Sequence, residues 1–360
     1  MQDLAGVHQK NYSSTAGAED DVQTTVQLVS DETTELVMRV LMYGVTPTIS
    51  IFGIIGNIFT VLVLWKHGFR KCSNIALVSL AVSDVTFLIG FNSVPKLLYE
   101  IGSSLDVFTY SRGVSYVLFV LYQIFHIMDY ASAGVSLCIP VLITFERLMA
   151  VFLPLYFRQV VTPRRTWAVV VCLVVFWYGF FIHTSFYSEF DYRFSLELNM
   201  TVGVIQRSAY HYSNVKTVFI LEETWSLLMM KIPPLFTFIG CLGIGIKIKL
   251  ASIKRTHMTN SSSGEASSNR TTKMLLAVCT LYTCTCAILS LPTYVPQYFY
   301  YTMTTDAPSN LGTILYQVIN IVLCINSSCN FIIYVVMNKN FRLTYKALFL
   351  NLSRDAKMNF

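Results

Sequence analysis

Several polar side chains of this sequence lie inside long apolar stretches, where burying them is costly. Four of them carry hydroxyl, carboxyl or amide oxygens: Asp84, Ser136, Asn326 and Asn330. The two asparagines are four residues apart, so they share one face of a helix. Converging oxygens of this kind suit a small hard cation such as sodium, or a network of water molecules. Hydrogen bonds that hold neighbouring helices together are an equally good explanation.

Charged side chains in the same stretches are further candidates for function. Glu146 and Arg147 are adjacent at the end of one stretch, so they can pair, and that pair can break. A routine anchor at the membrane interface would show the same pattern. Asp129 and Lys231 are ionisable groups within other apolar segments, so each needs a partner in the folded protein.

The elements that position these residues follow from composition and from the lengths of the apolar stretches. Of the 360 residues, 54% are hydrophobic and 13% are charged, whereas soluble domains have about 25% charged residues. This composition argues against a soluble enzyme, a disordered chain, a collagen and a nucleic-acid-binding protein. Seven stretches have the roughly 20 apolar residues that a helix needs to cross a bilayer, and none alternates like a barrel strand. They are about 40–65, 74–94, 116–145, 167–188, 224–246, 274–305 and 311–337. We predict an all-α membrane protein with a bundle of seven transmembrane helices.

The distribution of charge predicts how this bundle lies in the membrane. Lysine and arginine dominate the first, third and fifth loops and the tail, whereas the segment 1–39 is acidic. The positive-inside rule therefore places 1–39 outside, the domain 40–337 in the membrane and the tail 338–360 in the cytosol. In that tail, apolar residues recur at helical spacing and predict a short amphipathic helix on the inner surface of the plasma membrane, in contact with lipids. Sequons at Asn11 and Asn199 would face outward and are predicted glycosylation sites.

Several short motifs occur in a fixed order on the predicted spans. They are Gly56-Asn57, LAVSD ending at Asp84, Glu146-Arg147-Leu148 followed by Pro154, Trp177, Pro234, Pro292 and NSSCNFIIY at 326–334. Together they resemble the rhodopsin-like G protein-coupled receptors over about 40–350. The form of the last motif resembles the neuropeptide receptors of invertebrates, including those for FMRFamide-like peptides.

The resemblance implies a receptor that binds an extracellular peptide and activates a heterotrimeric G protein, without enzyme activity. It implies ligand-binding roles for Asp129, Tyr130, His126, Glu223, Tyr294, Gln297, Tyr316 and Asn320. It implies roles in activation for Glu146, Arg147, Pro292, Asn330 and Tyr334, and an allosteric sodium site at Asp84, Ser136, Asn326 and Asn330. Asp129 lies where amine receptors keep the acid that pairs with a ligand cation. An internal partner, such as Lys231, or a water network is the alternative for this acid.

The sequence also departs from the family pattern. Tyr122 stands where a disulfide cysteine is expected, and 188–223 contains no cysteine, so packing, a glycan or a ligand must hold the second outer loop. Phe331 replaces a proline of the seventh span, and Ser290 replaces a tryptophan of the sixth. These losses favour one alternative, a divergent chemosensory or amine-type receptor for a small molecule. An ion transporter is the alternative from another class, but such proteins usually show internal repeats, and none is seen here.

Overall fold

The structure is a computed structural model that describes residues 29–101, 107–196, 199–256, 266–291 and 310–358. Most of these residues are helical, because apolar segments in lipid must satisfy their backbone groups internally. The first half forms α1 (Asp31–Arg39), a π-helical turn (Val40–Val45), α2 (Thr46–His67), α3 (Cys72–Phe91), α4 (Val94–Ile101), α5 (Arg112–Phe152), α6 (Pro154–Val160) and α7 (Pro163–Ser185). The second half forms α8 (Ala209–Ser213), α9 (Val215–Trp225), a second π-helical turn (Ser226–Lys231), α10 (Ile232–Thr256), α11 (Ala266–Leu289), α12 (Asn310–Met337) and α13 (Lys339–Met358).

The prediction of seven transmembrane helices is confirmed. Within the described ranges, six helical spans are long and apolar enough to cross a membrane, and a shorter apolar helix covers Leu276–Leu289. The six are Asp31–His67, Cys72–Leu97, Arg112–Phe152, Pro163–Ser185, Val215–Leu250 and Asn310–Met337. The first span begins earlier than its apolar residues alone suggested, because Ser30 caps α1 by accepting a hydrogen bond from the Thr33 backbone N–H at 3.3 Å. The helix therefore extends into the acidic segment assigned to 1–39.

Besides the predicted helices, the segments between α4 and α5 and between α7 and α8 contain a small antiparallel sheet that the sequence did not predict. Its strands are β1 (Val107–Phe108), β2 (Ser188–Ser195) and β3 (Met200–Arg207), in the order β1-β3-β2. The hairpin of β2 and β3 pairs Ser188 with Arg207 and Ser195 with Met200. Its turn includes Asn199 at a φ of 47°, a left-handed conformation that asparagine tolerates better than most residues.

Aromatic packing fixes this sheet to the outer end of α5. The Phe190 ring stacks on Phe119 with 5.0 Å between ring centroids, and Phe108 is 1% exposed. Gly203 allows this approach, since a Cβ atom there would lie 2.5 Å from the Phe190 ring. The Gln123 amide donates to the Ser188 hydroxyl at 2.7 Å. Sheet pairing and packing therefore hold the long connection between α7 and α8, for which the sequence predicted packing, a glycan or a ligand.

Glycines let the membrane helices pack closely and accommodate two aromatic side chains. A Cβ atom on Gly134 would lie 2.6 Å from the buried Trp177 ring, and one on Gly56 would lie 2.9 Å from Cβ of Phe331. The Phe331 ring also contacts Tyr345 of α13, with 5.5 Å between centroids. The phenylalanine that replaces the expected proline thus joins α2, α12 and α13, and α12 continues unbroken through it.

Candidate functional site

A buried ion pair lies in the outer half of the bundle, between α4 and α5. The Lys96 ammonium donates to Oδ2 of Asp129 at 2.5 Å, and the two side chains are 8% and 2% exposed. Oδ1 of Asp129 accepts the Tyr130 backbone N–H at 2.6 Å. Both charges are therefore compensated within the protein, as buried charges must be.

Aromatic rings surround the ammonium group of this pair. The Lys96 nitrogen lies 4.5 Å from the centroid of Phe91 and 5.6 Å from that of Tyr130, within range of cation–π attraction. The His126 ring packs against Tyr130 at 4.5 Å and stacks on Tyr122 at 5.6 Å. A carboxylate and two ring faces make an environment suited to an organic ammonium group, and here the protein's own lysine occupies it.

The internal partner of Asp129 is thus Lys96, and the suggestion of Lys231 is wrong. Lys231 ends the second π-helical turn and is exposed. We predicted that the second span ends at about Val94, but the helical span continues to Leu97, since Pro95 lies in the first turn of α4, where it costs no hydrogen bond. The apolar residues Val94, Leu97, Leu98 and Ile101 recur at helical spacing, and this signal could have revealed the continuation that carries Lys96.

The other predicted ligand-binding residues differ in whether they lie near this buried ion pair. Tyr316 of α12 hydrogen bonds to Tyr130, so it joins the cluster around the ion pair. Asn320, one turn further along α12, is buried. Glu223 is exposed, so it is not part of this buried cluster. The remaining predicted positions Tyr294, Gln297, Pro292 and Asn11 lie outside the described residues.

A second polar cluster lies in the middle of the bundle, around the fully buried Asp84 of α3. The Ser136 hydroxyl of α5 donates to Oδ1 of Asp84 at 2.6 Å, and the Asn330 amide nitrogen of α12 donates to Oδ2 at 2.8 Å. Asn326 is turned elsewhere, since its amide oxygen accepts a hydrogen bond from Thr285 of α11 at 3.4 Å. Four helices are therefore joined by hydrogen bonds at this level.

This geometry fits a hydrogen-bond network better than a sodium site. The hydroxyls of Ser136 and Ser327 and the NH₂ group of Asn330 all donate to the Asp84 carboxylate, and an NH₂ group cannot bind a cation. Hard cations take several oxygen ligands. Of the two explanations that the sequence left open, the contacts support helix-to-helix hydrogen bonding, and the sodium ion stays a prediction.

The inner end of α5 carries the adjacent pair of opposite charges. An Arg147 guanidinium nitrogen donates to the Glu146 carboxylate at 3.0 Å, with side chains 17% and 10% exposed. The Arg147 Nε atom and the Tyr334 hydroxyl are buried and have no hydrogen-bond partner among the described residues.

The sequence matches a known family of membrane receptors. A family model described as serpentine type 7TM GPCR chemoreceptor Srw matches residues 44–351, which is 308 of the 360 residues. The chain belongs to the Srw family of serpentine chemoreceptors. Srw proteins are G protein-coupled receptors with seven transmembrane helices, so this protein is a receptor and not an enzyme. No curated protein matches the chain.

The Srw match corrects the finer part of the resemblance. The motifs around Asp84, Arg147 and Asn330 correctly indicated a G protein-coupled receptor, but the matching family is one of chemoreceptors, not of neuropeptide receptors. These motifs lie in the middle and inner parts of the bundle. They therefore report on the shared architecture and not on the class of ligand.

Proposed function

We propose that this Srw protein binds a small extracellular molecule at the Lys96–Asp129 cluster and transmits binding to a heterotrimeric G protein inside the cell. One observation carries the proposal: α5, a single helix of 41 residues, holds Asp129 at its outer part and the Glu146–Arg147 pair at its inner end. Pro140 lies inside this helix between the two sites, so a displacement of α5 at the ligand would reach the inner charge pair through one continuous helix that can bend at the proline.

The transmission step requires the ligand to prefer one conformation. A ligand shifts the equilibrium only by its difference in affinity between the resting and active states. In the proposed active state Arg147 leaves Glu146, and the sixth transmembrane span, predicted at about 274–305, swings outward about Pro292, because a proline cannot donate a backbone hydrogen bond. The inner cleft then accepts the G protein.

The orientation proposed for the protein is that of a plasma-membrane receptor with the N-terminus outside. The basic loops and the amphipathic α13 would then face the cytosol and the inner lipid surface. The sheet of β1, β2 and β3 would face outward, and Asn199 is exposed in its turn, as a glycan acceptor must be. Asn11 is the second proposed glycosylation site.

A peptide ligand is the second candidate. The exposed acid Glu223 of α9 favours it, because a basic or amidated peptide needs an accessible acidic partner at the outer end. The buried ion pair favours a small molecule instead, since a compact ligand can enter between helices. Both classes therefore belong in the functional test.

The proposal is tested by ligand-evoked GTP exchange in membranes that contain the receptor and a G protein. We expect members of a small-molecule library to stimulate exchange, and amidated peptides to be inactive. An Arg147→Ala variant is expected to bind the active compound without stimulating exchange. Stimulation by peptides alone would replace the small-molecule assignment, and a compound that binds without evoking exchange on any G protein would refute the coupling.

A further inference from the structure

Lys231 lies on the side of the fifth transmembrane span that faces away from the bundle. The buried residues of this stretch recur at helical spacing and form the packed side: Met229, Pro233, Thr237, Gly240 and Ile244. A Cβ atom on Gly240 would lie 2.3 Å from the Thr144 side chain, so this side packs closely against α5. The exposed residues recur with the same spacing on the other side, and we call them the outward stripe: Lys231, Leu235, Ile239, Leu242 and Ile246.

The position of Lys231 along the span places it within the hydrocarbon core. Glu223 and Lys247 are the nearest charged residues before and after it in the sequence, and both are exposed. The eight residues from Glu223 to Lys231 correspond to about 12 Å along a helix, and the sixteen residues from Lys231 to Lys247 to about 24 Å. A lysine side chain can bend toward the membrane surface, but its four-carbon stem is shorter than either distance. The ammonium group therefore stays among the lipid chains.

Lys231 has no polar partner within the part of the chain that the structure describes. It forms neither a hydrogen bond nor an ion pair there, whereas Lys96 is paired with Asp129. A charged group in the membrane is costly when it is alone, and such groups almost always pair with one another or with backbone carbonyls. The charge of Lys231 therefore requires an acidic group from another molecule.

Charge and depth decide which molecule can cover the outward stripe. Two copies of the receptor have the same orientation in one membrane, so a symmetric dimer through this stripe brings two Lys231 side chains together, and like charges repel. The acidic groups of phospholipids lie in the headgroup region, outside the hydrocarbon core. A helix of another membrane protein can carry an acid at the depth of Lys231, and pairing compensates both charges. The apolar residues from Leu235 to Ile246 supply a packing surface for such a helix.

We propose that the outward stripe docks a transmembrane helix of another protein, which carries one aspartate or glutamate at the depth of Lys231. The ammonium group of Lys231 and the carboxylate of that helix form an ion pair inside the lipid, and apolar side chains of both helices pack beside it. The stripe is separate from the Lys96–Asp129 cluster, so this inference is independent of the ligand and of the G protein.

Association is measured in cell membranes between the full-length receptor and a designed single-span helix, by energy transfer between fluorescent proteins at their cytosolic ends. The helix has about 23 leucine and alanine residues, and an aspartate eight residues from its outer end, which is the spacing of Lys231 from Glu223. Matched control helices carry leucine or lysine in place of the aspartate. We expect the aspartate helix to associate roughly ten-fold more tightly than the leucine helix, and the lysine helix to associate no better than the leucine helix.

Variants at equal surface expression test whether the aspartate pairs with Lys231. We expect Lys231→Met to reduce the association of the aspartate helix to that of the leucine helix, and Lys231→Arg to retain it, because arginine keeps the charge. Lys231→Glu reverses the charge, so we expect it to prefer the lysine helix. Adding Leu235→Lys to Lys231→Met moves the lysine one turn inward, and we expect this receptor to prefer a helix whose aspartate lies four residues deeper.

Three results would overturn the inference. One is equal association of the aspartate and leucine helices with the wild-type receptor. Another is a preference for the aspartate helix that survives Lys231→Met, since the helix then docks elsewhere. The third is self-association of the wild-type receptor that is lost in Lys231→Met, which assigns the stripe to a second copy. None of these measurements involves a ligand or GTP exchange, so their failure is distinct from a failure of the proposed function.

Discussion

Replacing Lys96 by methionine is the most direct perturbation of the outer cluster. Methionine keeps most of the apolar length of the side chain but removes the charge that compensates Asp129, a residue only 1% exposed. Among the described residues, the Asp129 carboxylate then keeps the Tyr130 backbone N–H as a hydrogen-bond donor, at 2.6 Å. The variant therefore isolates the cost of an uncompensated buried charge.

The magnitude follows from the burial of the pair. Removing one partner of a buried ion pair typically costs about 3–5 kcal/mol. For a chain of this size, with about 2.1 cal/mol/K of unfolding entropy per residue, such a loss lowers the unfolding temperature by roughly 4–7 °C. Replacing both partners by apolar residues, as in Lys96→Met with Asp129→Leu, leaves no buried charge, so we expect the double variant to regain wild-type stability or exceed it.

The assay is thermal unfolding of the purified receptor in detergent at one fixed scan rate, because unfolding of membrane proteins is often irreversible. Lys231→Met is the control, and a change of about 0.5 kcal/mol or less is expected for this exposed residue. The reasoning is refuted if Lys96→Met is no less stable than Lys231→Met, or if the double variant is as unstable as the single one.

Three further predictions concern the middle, outer and inner parts of the bundle. If sodium binds at Asp84, ligand-evoked GTP exchange falls when sodium replaces potassium, and Asp84→Asn abolishes this difference; equal sensitivity in both proteins excludes the site. Phe108→Ala removes a fully buried ring and is expected to lower the stability of the sheet by about 3–5 kcal/mol, which is measured as faster hydrogen exchange in β2 and β3. The control is Phe194→Ala, which is expected to have little effect because this side chain is 58% exposed. Glu146→Gln frees Arg147 from its charged partner, and we take the lost ion-pair interaction as about 1 kcal/mol. Ligand-free GTP exchange is therefore expected to rise about five-fold. An unchanged basal rate at equal expression argues against an ion pair that restrains the resting state.

The helices could be predicted from the sequence because the physical requirement is local. A bilayer demands about 20 apolar residues in one continuous helix, and this is visible in each stretch by itself. The charge pair Glu146–Arg147 and the side chains around Asp84 were also predictable, since they lie within or at the end of spans whose bounds were nearly correct. Local patterns thus located the polar groups that function requires.

The partners of these groups could not be predicted, because they depend on how helices face one another. Asn326 and Asn330 share a helix face by spacing, yet one turns to Thr285 and the other to Asp84. Lys96 was missed because the second span was predicted to end at about Val94. The hairpin of β2 and β3 was missed for another reason: a few alternating apolar residues in a polar loop are a weak signal beside the transmembrane stretches.

The positions of Asp129 and Ser136 on α5 connect the ligand cluster with the middle of the bundle. They are seven residues apart, two helical turns, and so lie on the same face of α5. Each binds the second transmembrane span: Asp129 through Lys96 of α4, and Ser136 through Asp84 of α3. A ligand that separates the outer pair therefore releases α5 from this span at one level, while the inner hydrogen bond still holds it at the other. Pro140 lies just beyond that remaining contact and inside α5, so we expect the helix to bend there when the outer pair separates, and the Glu146–Arg147 end to shift relative to Asp129.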